Sequence, residues 1–267
     1  MQYIVIKCGG SVCDALSDSF FQQVVDLQQS GLWRPVIVHG GGPSISALLK
    51  AFNITSSFVN GLRVTTREVL DTAEMVLSGK INKQVVRRLK QAGGKAIGLS
   101  GVDGDLLGAE PVSGHEKLGF VGQIKQINTH LLHTLMEQGY IPVISPIGVD
   151  QDGQHYNINA DMAAAAVAGA LQATLCFVSD IPGIYVEEGE SRRVLKTATN
   201  RQLEQLIDDH VITGGMVPKV KAAISALAYQ VPEVVILCGK DEQALAAFCQ
   251  GEAVGTKIVM EGAAIHG

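Results

Sequence analysis

Five short stretches of the chain join charged, amide and glycine residues in patterns suited to handling anions. The first is Lys7-Cys8-Gly9-Gly10-Ser11. A lysine that closes an apolar run must carry its charge to solvent or to a partner. Two glycines after it let backbone N–H groups approach an anion, with Lys7 as a point charge. A strand-end lysine followed by an ordinary turn would look the same. The second stretch is His39-Gly40-Gly41-Gly42-Pro43-Ser44. Three glycines before a helix offer N–H donors at its N-terminus, and Pro43 suits the first helical turn. A flexible connection is the alternative, but glycine runs cost conformational entropy. His39 reads as a satisfied structural histidine rather than a base.

Arg63, in Asn60-Gly61-Leu62-Arg63-Val64-Thr65, could clamp a carboxylate through two parallel hydrogen bonds, or it could be a solvated surface arginine. In Tyr156-Asn157-Ile158-Asn159-Ala160-Asp161, an extended backbone puts Asn157 and Asn159 on one side. Capping explains Asn159 and Asp161 at a helix start; it does not explain Asn157. The fifth stretch is Thr213-Gly214-Gly215-Met216-Val217-Pro218-Lys219. It sets a lysine near a helix N-terminus, where the dipole favours an acid by a few tenths of a kcal/mol or more (roughly). An anionic ligand would remove that mismatch.

Other chemistries are excluded by their missing signatures. The chain has no GxxxxGK[ST] loop, no GxGxxG fingerprint, no HExxH and no GxSxG. His130 and His133 lie on an amphipathic stretch without an acidic metal partner and read as structural or solvated.

The elements that must position these residues alternate. Strands are expected at residues 3–7, 36–38, 95–99, 141–144, 154–157, 175–178, 234–237 and 256–260. Helices are expected at 17–29, after Pro43 through Leu49, at 68–77 and 81–90 on either side of Ser78-Gly79, and at 129–138, 161–171, 200–209, 217–229 and 242–248. Residues 102–121, rich in glycine and polar residues, predict hairpins. This alternation predicts an α/β fold, with one continuous, mostly parallel sheet covered by helices on both faces. Ligands of such sheets bind at the carboxyl ends of the strands, where the glycine clusters fall.

Composition bounds the rest. The 267 residues are 46% apolar and 18% charged, with net charge −5. No basic tract points to nucleic acid, and no apolar run reaches membrane-spanning length. The five cysteines lack CxxC spacing, so neither a disulfide framework nor a zinc site is expected. A cytoplasmic chain with reduced thiols is the expectation.

Together these stretches, over nearly the whole chain, resemble the amino-acid-kinase family. Lys-x-Gly-Gly at 7–10 and Gly-Gly-Met-x-x-Lys at 214–219 carry the family likeness. The sequences at 38–42, 60–65 and 157–161 resemble those of members that phosphorylate N-acetyl-L-glutamate in arginine biosynthesis. The resemblance implies a three-layer αβα sandwich with two lobes, approximately 1–172 for the acyl substrate and dimerisation and 173–267 for ATP. It implies that Lys7 and Lys219 stabilise the transferring phosphoryl group and that Asp161 holds both. Gly9, Gly10, Gly41 and Gly42 would offer N–H groups to phosphate and acyl-substrate oxygens. Arg63 and Asn157 would bind N-acetylglutamate, supported by Asn159. Asp180, Ile181, Pro182, Gly183, Ile184 and Tyr185, with Val211, Ile212 and Thr213, resemble nucleotide-binding segments.

Magnesium would bridge the ATP phosphates, with no metal ligands from the chain. Arginine-inhibited members carry a helix before the first strand; with a strand from about Tyr3, the resemblance implies an arginine-insensitive homodimer. Cys8 stands where relatives often have a bulkier apolar residue and reads as core. The alternatives are a family kinase acting on an aminoadipate derivative and a noncatalytic amino-acid or nucleotide sensor; a dehydrogenase lacks its fingerprint. Retention of both lysines argues against the sensor.

Overall fold

Ile4, Val5 and Ile6 form an uninterrupted apolar run with no exposed surface, as a strand covered on both faces requires. They lie in β1 (Gln2–Cys8) of a computed structural model that describes residues 1–13, 15–113, 116–188 and 191–262. The other strands, in chain order, are β2 (Trp33–His39), β3 (Phe58–Val59), β4 (Leu62–Arg63), β5 (Ala96–Ser100), β6 (Leu107–Pro111), β7 (Val121–Ile127) and β8 (Ile141–Ser145). Then follow β9 (Ile147–Val149), β10 (His155–Ile158), β11 (Thr174–Ser179), β12 (Tyr185–Glu188), β13 (Ser191–Val194), β14 (Thr197–Thr199), β15 (Val234–Cys238) and β16 (Thr256–Val259). The helices are α1 (Gly10–Cys13), α2 (Asp18–Gln29), α3 (Gly42–Ala51), α4 (Arg67–Glu74), α5 (Asn82–Gln91), α6 (Thr129–Glu137), α7 (Ala160–Leu171), α8 (Asn200–Asp208), α9 (Met216–Leu227) and α10 (Ala244–Cys249).

Eight strands form the central sheet in the order β14-β16-β15-β11-β1-β2-β8-β5. Its pairs are parallel except β15 with β16. The strands before residue 172 lie on one side of β1 and those after it on the other. The chain order therefore reverses at β1, the place where open α/β sheets leave a crevice at their carboxyl edge.

Alternation along β1 sorts the layers. Ile4 and Ile6 pack with residues of α2, α3 and α5. Val5 packs in the opposite cluster, with the alanines of α7 and with Val220 and Ala223 of α9. Lys7 has the parity of Val5, so it faces the layer whose helix N-termini carry Asp161 and Lys219. Cys8 falls with the first cluster, buried beside Cys13. That contact, with burial, raises its thiol well above the usual range, which suits a core residue and not a nucleophile. All five cysteines are free thiols.

Three expectations need correction. Residues 68–77 and 81–90 do not form two helices parted at Ser78-Gly79. The π-helical segment Met75–Ile81 joins α4 to α5 without a break. One glycine costs a helix only about 1 kcal/mol, and burial of Val76, Leu77 and Ile81 outweighs it, with Ser78 Oγ 2.8 Å from Ser145 Oγ. Second, the sheet is not the whole β-structure. Of the hairpins expected within 102–121 one starts there: β6 pairs with β7, which runs beyond that segment to Ile127, and the two close a four-stranded barrel with β9 and β10. Third, β12 pairs with β13 in a hairpin where no strand was expected. No described helix is long and apolar enough to cross a membrane.

Candidate active site

At the carboxyl edge of the sheet, Lys7 Nζ lies 2.6 Å from Asp161 Oδ1. Asp161 stands in the first turn of α7. Asn159 caps that helix, its Oδ1 accepting from the N–H groups of Asp161 (2.8 Å) and Met162 (3.2 Å). The Lys7–Asp161 pair forms the boundary between two chambers and lines both of them.

The chamber on the β11 side, of about 300 Å³, is also lined by Gly9, Phe177, Ser179, Asp180, Pro218 and Lys219. The Lys219 ammonium donates to Ser179 Oγ at 3.1 Å and to the Asp180 carboxylate. That bond from Lys219 is the main reason the Asp180 carboxyl sits below its ordinary pKa. The family resemblance implies that Asp161 holds both lysines. In the structure Asp161 holds Lys7, and Lys219 rests on Asp180. Ser179, which escaped the sequence reading, is the last residue of β11 and its only signal was adjacency to Asp180. Residues 181–185 and 211–213 do not line this chamber. Ile184 and Ile212 are core residues, and the Ile184 N–H is bound to Thr256 Oγ1 at 2.8 Å.

The chamber on the β2 side, of about 230 Å³, is bounded by Gly10, Gly40, Gly41, Gly42, Arg63, Asn157 and Asn159. Asn157 and Asn159 do share a side, as alternation predicted. Asn157 Nδ2 donates to Thr65 Oγ1 at 3.2 Å, and Thr65 Oγ1 donates to the Arg63 carbonyl at 2.8 Å. Thr65 thus ties β10 to the β3–β4 hairpin, a role invisible in one dimension.

Arg63 is buried, 7% exposed, rather than solvated. Its NH1 donates to Ser56 Oγ (2.6 Å) and its NH2 to Gly42 O (3.1 Å) and Ser46 Oγ (2.9 Å), and Phe58 stacks on it at 4.6 Å. Burial lowers the pKa of the guanidinium, and among the described residues no carboxylate pairs with it. A buried cation supplied only with neutral acceptors leaves room for an anionic ligand to compensate it.

The glycines divide by cause. A Cβ at Gly10 would lie 2.8 Å from Gly41 Cα and N, and one at Gly41 would lie 2.5 Å from Ile81 Cδ1 and 2.7 Å from Leu77 Cδ2. Both are glycine because protein atoms press on them. A Cβ at Gly42 would meet nothing within 4 Å. Gly41→Ala is therefore expected to lose about 1–3 kcal/mol of stability by overpacking. Gly42→Ala should keep its Tm and raise KM for whatever fills the β2-side chamber, roughly tenfold for about 1.4 kcal/mol of crowding. Thermal melts and steady-state kinetics on both variants check this; an unchanged KM in Gly42→Ala would mean the space is solvent.

Comparison with known proteins places the chain in a family. The amino acid kinase family description matches residues 2–238. The acetylglutamate kinase of Geobacillus kaustophilus is 56% identical over 238 residues, covering 89% of this chain and 90% of that protein. The acetylglutamate kinase of Bacillus velezensis is 51% identical over 259 residues, covering 97% and 96%. Among solved structures, smu.665 of Streptococcus mutans superposes with a TM-score of 0.81 at 32% identity, covering 97% of this chain and 99% of that one. The carbamate kinase of Giardia lamblia bound to AMP-PNP has a TM-score of 0.67 at 15% identity over 97% and 99%, a likeness of fold alone. With the family description matched over residues 2–238 and relatives more than half identical over most of both chains, the chain belongs to the amino acid kinase family.

Proposed function

We propose that the chain phosphorylates the γ-carboxylate of N-acetyl-L-glutamate with ATP, as an acetylglutamate kinase of arginine biosynthesis. The observation that carries this reading is the Lys7–Asp161 pair lining both chambers. A donor and an acceptor held one in each chamber would meet at that pair.

The acyl substrate occupies the β2-side chamber, its carboxylate compensating Arg63 and its amide facing Asn157. ATP occupies the β11-side chamber, its phosphates toward Gly9, Gly10 and Lys219. Residues 181–185 and 211–213 resemble nucleotide-binding segments, and in this reading they take the part of the nucleotide that lies beyond the chamber. In the reaction a γ-carboxylate oxygen forms a bond to the γ-phosphorus, and the bond from that phosphorus to the bridging oxygen of ADP breaks. The carboxylate is already a nucleophile, so no proton is removed. His39 agrees: it is fully buried, with a pKa pushed down to about 4 mainly by desolvation, and it stays neutral at pH 7. What the protein supplies is position and charge. Lys7 faces the junction, Lys219 the leaving phosphates, and the N–H groups of the glycine loops the equatorial oxygens.

Among the described residues no group of three or more His, Cys, Asp or Glu side chains could hold a metal. The magnesium of this proposal is carried by the triphosphate, which suits a cation that keeps waters and phosphate oxygens as ligands. It would neutralise phosphate charge.

The same reading makes residues 1–172 the acyl-substrate lobe and 173–267 the nucleotide lobe. It takes the protein as a cytoplasmic homodimer. The edge strand β5 offers its unpaired side to a second copy.

Two experiments test it. With hydroxylamine present, ATP and N-acetylglutamate should yield the γ-hydroxamate, because an acyl phosphate is trapped that way. ADP without hydroxamate would mean hydrolysis, not transfer. Arg63→Ala should raise KM for the acyl substrate roughly thirtyfold or more, the effect of removing one member of a buried charge pair, with KM for ATP little changed. A rise confined to ATP would reverse the assignment of the chambers.

A further inference from the structure

Two buried polar side chains beside the glycine loop take no part in the scheme above. His39, the last residue of β2, and Asn82, the first of α5, are both fully buried. Asn82 Nδ2 lies 3.3 Å from His39 Nε2, 3.2 Å from Leu99 O and 2.9 Å from Val143 O, its two hydrogens shared among three acceptors. Its Oδ1 accepts from Lys83 Nζ at 3.1 Å, which fixes which end of the amide is which. Two features make room for this amide. The π-helical turn Met75–Ile81 ends directly before it. Gly98 on β5 has no side chain, where a Cβ would fall 1.9 Å from Asn82 Oδ1. Extra-residue turns of this kind recur at functional sites.

The amide donor at Nε2 makes that nitrogen the acceptor, so the ring proton sits on Nδ1. Nδ1 donates to Gly40 O at 3.2 Å. The Gly40 N–H is held in turn by Cys8 O at 2.9 Å. The peptide between Gly40 and Gly41 is planar and trans, so a fixed carbonyl sends the next N–H the opposite way. That N–H belongs to Gly41, a buried residue lining the β2-side chamber, and it has no acceptor among the described residues. Buried backbone N–H groups are rarely left so.

We infer that His39, steadied by Asn82, is a positioning residue that holds the Gly40–Gly41 peptide with the Gly41 N–H toward the reacting oxygens. The inference rests on the proposed phosphoryl transfer and adds to it a reason for the histidine before the three glycines. Its neutrality follows from the same packing: burial lowers its pKa, and the Lys83 ammonium adds to that.

The test compares His39→Leu, which fills the space without a donor, with His39→Asn, whose amide nitrogen falls near the Nδ1 position. His39→Leu should lower kcat roughly ten- to a hundredfold, part of the loss seen when an oxyanion donor is removed. KM for ATP should stay within about twofold, since donors used only in the transition state act on kcat. His39→Asn should recover most of the loss. Equal loss in both variants would mean that packing alone is at stake, and full activity in His39→Leu would mean that the peptide needs no anchor; either overturns the inference. Nitrogen-15 spectra of histidine-labelled wild type give a readout independent of turnover and of variant folding. They should show His39 protonated at Nδ1 only, and an Nε2–H tautomer would overturn the inference. Failure of the functional reading would look different: a wild type without turnover, whatever its tautomer.

Discussion

Replacing Lys219 by alanine is expected to lower kcat by about a hundred- to a thousandfold, the range for removing one preorganised donor from a transition state. The fold should survive. Lys219 is partly exposed near the start of α9, its ion-pair partner Asp180 is exposed, and its other partner Ser179 is buried at the end of β11. An ion pair so exposed adds about 0–1 kcal/mol to stability, so circular dichroism and Tm should barely move. A lysine there opposes the helix dipole. That cost makes sense if the ammonium compensates a leaving phosphate. Steady-state kinetics with saturating ATP check the point, and unchanged kcat would remove Lys219 from the mechanism.

Lys7→Met should be at least as damaging, by about a thousandfold in kcat/KM. The kinetic pattern should also differ. Lys7 lines both chambers, whereas Lys219 lines one. Its loss also leaves the Asp161 carboxylate, 2.6 Å from the ammonium in the intact protein, facing the phosphoryl group uncompensated. KM should therefore rise for ATP and for the acyl substrate together. Lys7→Met/Asp161→Asn should recover part of the binding, because the stranded charge is gone, but not kcat. If Lys7→Met changes KM for one substrate alone, the two chambers do not meet at this pair.

Much of this site was legible in the sequence because the relevant signals are local. A lysine at a strand end, glycines at helix starts and an asparagine two residues before an acid each report their own backbone. The strand alternation that aims Lys7 at the α7 and α9 layer is also a local rule. Pairing was less legible. Nothing near Lys219 says whether Asp161 or Asp180 will hold it, since all three come together only when β11 and α7 pack beside β1. The role of Arg63 was open for the same reason. Its partners Ser46 and Ser56 lie 17 and 7 residues away, and the choice between solvated and buried is made by tertiary packing. Gly41 reads in sequence as a donor to ligand, and a second cause lies in Leu77 and Ile81, whose side chains fill the place a Cβ would take. The π-helical turn that supplies those two side chains was read as a break, because Ser78-Gly79 is weak for a helix and its packing is invisible in one dimension. The closure of the barrel escaped notice because the pairs that close it, β7 with β10 and β6 with β9, join strands far apart in the chain.

The central claim is transfer of a phosphoryl group to one particular carboxylate at the Lys7–Asp161 junction. ADP release by the purified protein, with MgATP and N-acetyl-L-glutamate set beside glutamate, aspartate and N-acetylaminoadipate, tests it most directly. Turnover selective for N-acetyl-L-glutamate is the predicted result. A folded protein that binds ATP yet releases ADP with none of these acids would contradict the account.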